Sequence, residues 1–211
     1  MTADPETRLR ADALRNRAQI IATAKVMFTE DGPEVPMEEI ARRAGVGVGT
    51  LYRRFPDREA LIKAVSKDNF AEVLTEAEAA EAEEATSWEA LVRLLSRSRG
   101  LRLSIRLALL SPQAWETIRV DPDYQRLRDD LLAILDRIVL AAQQEGTLRP
   151  DVGSGDVAVV VSLLLRQILV AADVTDLVEE RTLALLLDGL RARHGVPLPG
   201  RIITADDLRH G

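Results

Sequence analysis

Apolar positions recur at helical spacing along most of the chain, and no stretch alternates as a half-buried strand would. From Ala11 to Thr29, Leu14, Ala18, Ile21, Ala24 and Phe28 return every three or four residues and predict one amphipathic helix, stopped by Gly32-Pro33. Residues 1–10 read as an arm ahead of it. Met37 to Phe55 predicts two short helices. Ile40, Ala41 and Ala44 form a small apolar face, Gly45 stands where a helix end needs a left-handed residue, Val46 plugs the turn, and Leu51 and Phe55 lie four apart on the second helix. Ala41 and Ala44 are small enough to let the two helices cross closely. Pro36 suits the first position of the first of them.

Phe55-Pro56-Asp57 then ends the pair, and Asp57 is a good N-cap for a helix from Arg58 to about Ala80 with Leu61, Ala64 and Val65 inward. Thr75 to Ala85 is Ala/Glu-rich, has no deep apolar stripe, and reads as a solvated helix end plus linker. Further helices are predicted over Ser87–Ser98, over Leu101–Leu110 with Pro112 at its end, and over Asp123–Gln144, with a turn at Gln113–Arg119 between the last two. Asp156 opens a strongly apolar helix to about Ala172, and Asp176 opens the last, to about His194. The tail after it starts with too much Gly and Pro for a helix. These elements predict an all-α chain of about nine helices, with residues 1–66 as head (helix-turn-helix 37–55), 67–196 as body and 197–211 as tail.

Composition narrows the chemistry. The 211 residues are 46% hydrophobic and 29% charged but only 3% aromatic, so the core is built of aliphatic side chains. There is no Cys, and both histidines, His194 and His210, lie near the C-terminus, so no metal site, cofactor or catalytic constellation is expected. Asp129/Asp130 and Glu179/Glu180 are adjacent on helices and point different ways. No apolar leader opens the chain, and the longest apolar stretch, Val157 to Leu165, is too short to span a bilayer, so a cytoplasmic protein without membrane contact is expected. The net charge is −6, unevenly distributed: residues 1–67 carry 12 Lys and Arg against 10 Asp and Glu, and the remainder 16 against 24. A mildly basic head on an acidic body suits a protein that touches phosphates at one end.

The second short helix has the chemistry for a DNA groove. Gly47, Val48 and Gly49 make its front slim, so that its backbone can approach base edges. Thr50 and Tyr52 offer hydroxyls, and Arg53, Arg54 and Arg58 charged donors, to phosphate oxygens. Arg8, Arg10, Arg15 and Arg17 either reach phosphates or the minor groove, or belong to a solvated tail.

The combination Ile40-Ala41, Ala44-Gly45-Val46, Gly49-Thr50-Leu51-Tyr52 and Phe55, with Gly32 before it and Arg58-Glu59-x-Leu61 after it, resembles the DNA-binding domain of the TetR family of bacterial transcriptional regulators over roughly residues 11–66. The resemblance implies a three-helix head that binds DNA and a larger helical body for ligand binding and dimerisation. It implies phosphate contacts at Thr50, Tyr52 and Arg54, base contacts from Val46 to Thr50 and at Arg53, and a palindromic operator spanned by a symmetric homodimer. Two positions depart from the family pattern: Val35-Pro36-Met37 stands where a Thr is common, and Val48 where many relatives carry a cation.

The two apolar helices at 156–172 and 176–194 are the expected dimer face, since so apolar a helix must be buried on nearly every side. The middle helices would enclose a pocket for an unidentified small-molecule effector. Trp88, Trp115 and Tyr124 are the scarce aromatics there, and Arg102, Arg106 and Arg166 are cations in apolar surroundings. The expectation is an effector-released homodimeric repressor, with the helix after Asp57 joining head to body. The alternatives are an activator of the same fold and a helical interaction module that does not bind DNA.

Overall fold

The computed structural model describes residues 5–97, 103–104, 107, 111–164, 174–192 and 195–209. Helix α1 (Pro5–Glu30) starts well before the predicted Ala11, so residues 5–10 are its first turns and not an arm. Its inward face is Ile20, Ile21, Ala24, Met27 and Phe28; Leu14 is 70% exposed and Ala18 also faces solvent, because the front half of the helix runs past the head. The helix ends at Gly32, whose φ is +88°.

Helix α2 (Met37–Arg43) and helix α3 (Val48–Arg54) are joined as the sequence requires. Pro36 sits one position ahead of α2, and its carbonyl accepts from Glu39 and Ile40. Glu38 and Glu39 in the first turn and Arg42 and Arg43 in the last match the helix dipole. At the other end Gly45 has φ +66°, the Gly45 N–H donates to Arg42 O (3.1 Å), and the Val46 N–H donates to Ala41 O (3.0 Å). This is a Schellman end, in which one left-handed residue satisfies the last carbonyls and turns the chain sharply. It delivers Gly47, whose carbonyl accepts from Thr50 and Leu51 and so opens α3.

Helix α4 (Arg58–Glu83) is capped by Asp57 Oδ1, which accepts from the Ala60 N–H at 2.7 Å. Its 26 residues span about 39 Å. The Ala/Glu-rich end is not a solvated linker: Ala77 and Ala80 are fully buried, because small side chains let α5 (Ser87–Arg97) pack close. Thr86 and Glu89 exchange side chain-to-backbone bonds as a capping box for α5, which Glu145 reinforces by accepting from Ser87. The predicted turn after Pro112 is instead helix α6 (Pro112–Arg119), for Pro opens a helix as readily as it closes one. Helix α7 (Pro122–Gln144) follows, capped by Asp121.

Helix α8 is described from Ser154 to Leu164, and α9 runs from Thr175 to Leu190. The rest of the predicted 156–172 helix and His194 lie outside the described residues. Helix α9 stops at Leu190 because Arg191 pairs with Leu148 in an isolated antiparallel bridge. The tail then returns across the body and ends in the short helix α10 (Ala205–Arg209). The all-α reading holds, and no strand occurs among the described residues.

The head core of Ile20, Phe28, Ile40, Leu51, Phe55, Leu61 and Val65 continues without a break into Phe70, Leu103, Leu107, Ile118 and Tyr124 of the body. A second cluster, with Val73, Ala80, Leu91, Ile138, Leu148 and Val157, fills the far end. Helix α4 contributes to both. Gly45→Ala keeps every contact but forces a Cβ into left-handed backbone, so we expect urea unfolding to lose about 1–2 kcal/mol; an unchanged midpoint would contradict the turn geometry.

Candidate nucleic-acid interface and ligand cavity

Helix α3 buries one side and presents the other. Leu51 and Phe55 are 0% and 3% exposed, whereas Gly47, Val48, Gly49, Tyr52, Arg53 and Arg54 face solvent, with Thr50 and Val46 half-buried. A Cβ added at Gly49 would meet nothing within 4 Å, so no packing inside the chain calls for glycine there. Arg53 Nη2 donates to Thr50 Oγ1 at 3.2 Å. The Tyr52 hydroxyl donates to Glu38 Oε1 at 2.8 Å, which fixes the ring at the edge of the exposed face. The backbone N–H of Glu38, the Tyr52 hydroxyl and the charge of Arg58 hold the Glu38 carboxyl below its ordinary range, and the same bond raises the Tyr52 phenol. Arg17 lies over the Phe55 ring, 5.6 Å from its centroid.

Arg58 has a different occupation from the one its position suggested. Its Nη1 donates to the carbonyls of Pro33 and Val35, the latter at 2.6 Å, and ties down the loop ahead of α2. These carbonyls would otherwise lack partners beside the head core.

The body holds a cavity of about 390 Å³. Trp115 and Tyr124 line it as expected, together with Phe70 of α4, Leu94 and Leu95 of α5, Arg128 and Leu131 of α7, Val157 to Val159 and Val161 to Leu163 of α8, and Leu208 of α10. Trp115, Tyr124 and Phe70 form an edge-to-face series, with centroids 6.1 and 4.7 Å apart. Burial pushes the Tyr124 phenol well above its usual value, opposed by the charge of Arg128. Trp88 does not line the cavity: it is buried in the second core cluster, with the Arg191 guanidinium 4.6 Å over its ring. Arg102, Arg106 and Arg166 lie outside the described residues. Arg128 was legible in principle, one helical turn after Tyr124; Leu208 was not, since nothing local brings the tail to the cavity.

Known proteins match both halves. The family profile for bacterial regulatory proteins of the tetR family matches residues 20–65, and that for the C-terminal domain of SbtR-like transcriptional regulators matches residues 86–192. A TetR transcription regulatory protein from Mycobacterium vanbaalenii is 36% identical, the alignment covering 87% of this chain and 99% of that one at a TM-score of 0.55. The TetR transcriptional regulator SCO0520 from Streptomyces coelicolor is 32% identical, with 83% and 98% covered and a TM-score of 0.64. The chain belongs to the TetR family of bacterial transcriptional regulators. An HTH-type transcriptional regulator of Staphylococcus aureus is 44% identical over 54 residues, 25% of this chain and 29% of that one, so the match spans under a third of the curated relatives' length. The TetR relatives are named as transcriptional regulators and not as enzymes. No described helix is long and apolar enough to cross a membrane.

Within this TetR-family fold, head and body are also joined by charge. Lys63 Nζ lies 2.6 Å from Asp121, and Lys67 Nζ 3.3 Å from Asp121 and 2.6 Å from Asp123. Asp121 Oδ1 also accepts from the N–H groups of Asp123 and Tyr124, so one carboxylate caps α7 and clamps α4. Lys63 first, then the Tyr124 N–H and Lys67, hold Asp121 well below its ordinary 3.8 against the opposing effect of burial. Folding therefore favours the ionised form. Its contribution is whole above pH about 4 and is lost progressively as the pH falls below that. We expect Asp121→Asn to lower the unfolding free energy at neutral pH by about 1–3 kcal/mol. The gap to wild type should narrow in urea titrations stepped down through pH about 4; a gap that ignores pH would remove Asp121 from this role.

Proposed function

We propose that this TetR-family regulator binds a palindromic operator in the cytoplasm as a homodimer, and that a small molecule in the body cavity releases it, giving repression lifted by ligand. One observation carries the reading: α4 supplies Leu61, Ile62 and Val65 to the head core and Phe70, against Tyr124, to the cavity wall. A ligand that fits only one placement of Tyr124 and Phe70 acts on the same rod that seats α3, and so shifts the population between DNA-competent and spread dimers.

In this reading Val46, Gly47, Val48 and Gly49 approach bases, Val48 meets a thymine methyl, and Thr50, Tyr52, Arg53 and Arg54 meet the backbone, with Arg53 also in reach of bases. Tyr52 exchanges Glu38 for a phosphate oxygen on binding. Arg58 acts indirectly, through the loop that precedes α2. The dimer forms through α8 and α9, where Val160, Leu163, Leu177 and Leu185 are apolar and exposed; Leu185 is 71% so.

Gly49 gives a test in which stability and binding move in opposite directions. Glycine inside a helix costs about 0.5–1 kcal/mol relative to alanine, and the space around Gly49 is open. Gly49→Ala should therefore stabilise the protein by about that amount while weakening operator binding about 10-fold or more, because the added methyl holds the helix off the groove. Unchanged affinity would place the groove contact elsewhere. Selection of bound sequences from a random duplex pool should return a palindrome with half-sites about 34–36 Å apart, and binding should weaken steeply with salt. Half-sites without symmetry would sink the dimer reading.

A further inference from the structure

The sequence Asp151-Val-Gly-Ser-Gly-Asp156 faces a tail that lies beyond residue 192, where the match to the family's C-terminal domain ends. The structure brings the two together. A Cβ at Gly153 would sit 2.2 Å from Ile203 O, and one at Gly155 2.4 Å from Thr204 O. Only glycine permits the tail backbone to lie this close. Asp156 Oδ2 accepts from Ile203 N–H at 3.2 Å, and Asp156 N–H donates to Ile203 O at 3.3 Å. Upstream, Asp151 accepts from Leu198 N–H at 2.8 Å while held in a fork by Arg149, whose Nη2 also reaches Val196 O at 3.2 Å. Downstream, Asp207 accepts from Thr204 N–H and Oγ1 and from Arg201, capping the start of α10. Ala205 is then 4% exposed, and Leu208 faces the cavity.

We propose that residues 196–208 form a strap that is one wall of the ligand cavity, and that Leu208 sets the length of the neutral apolar ligand the cavity accepts. The inference rests on the reading of the cavity as the effector site. The attachment is largely polar: Val196 is 87% exposed and Leu198 and Ile202 are also exposed, so hydrogen bonds to Asp151 and Asp156 contribute much of the hold on the strap. Such a wall detaches and re-forms at lower cost than a packed helix, which gives a ligand a way in. The preference for a neutral ligand follows from the lining. It is overwhelmingly aliphatic and aromatic, and its cation among the described residues, Arg128, has Asp129 3.6 Å away. A charged ligand would give up its hydration to a lining that is apolar almost throughout.

The test is a fluorescence titration of the full chain with N-phenyl-1-naphthylamine, followed by displacement with straight-chain alkanols from hexanol to dodecanol. For wild type we expect affinity to rise about fourfold per added methylene, up to a limiting chain length. Leu208→Ala should move that limit to longer alkanols and Leu208→Trp to shorter ones, while operator affinity without ligand and the unfolding midpoint stay near wild type. Gly155→Ala should flatten the length preference and speed tryptic cleavage after Arg201, where the strap backbone is otherwise pinned. A probe that binds wild type, with the same limiting length in both Leu208 variants, would overturn the strap and leave the cavity reading standing. Failure of wild type to bind the probe or any alkanol would overturn both.

Discussion

Burial along one face of α4 constrains everything else. From Leu61 to Ala80 the helix supplies Leu61, Ile62 and Val65 to the head, Phe70 to the cavity wall, and Val73, Ala77 and Ala80 to the far core. Close-packed interiors resist continuous deformation and shift between discrete arrangements. A rod packed at both ends therefore moves as a unit, or its neighbours repack. The Asp121 carboxylate meets the head-side half of this rod, bonded to Lys63, near Lys67, and capping the helix that carries Tyr124. Packing and charge thus tie the aromatic wall of the cavity to the helix that seats α3.

The same accounting changes the electrostatic view of the head. Its small excess of cations overstates what faces DNA. Lys63 and Lys67 are held by Asp121 and Asp123, Arg42 by Glu39, Arg43 by Glu30, and Arg58 by two backbone carbonyls. Arg53 and Arg54 remain on the exposed side of α3. With so few cations there, the proposed groove contact would depend on close approach as well as on charge. The slim front at Gly47 and Gly49 would permit that approach in the proposed complex.

Much of this was legible in residue order because it is local. The Schellman turn needs one glycine and an apolar residue beyond it, and Gly45-Val46 supply both. The Asp57 cap needs one carboxylate three residues ahead of an N–H. Leu51 and Phe55 share a helix face at any tertiary position. Misreadings arose where local signals were ambiguous. Ala77 and Ala80 have too little side chain to mark a buried stripe, and Pro112 fits the end of one helix as well as the start of another. Leu14 kept the spacing of a core residue although it is 70% exposed.

The residue pattern by itself determined the all-α class, the helix-turn-helix and the exposed face of α3, since these follow from spacing, capping and backbone preference within a few residues. Tertiary structure alone decided that Trp88 packs under Arg191 and not in the cavity, that Arg58 holds a loop, and that Leu208 closes a wall some 50 residues from the glycines that receive its strap. Each of these depends on which distant surfaces meet. That choice is made by the summed burial of the whole chain, and no short window of sequence contains it.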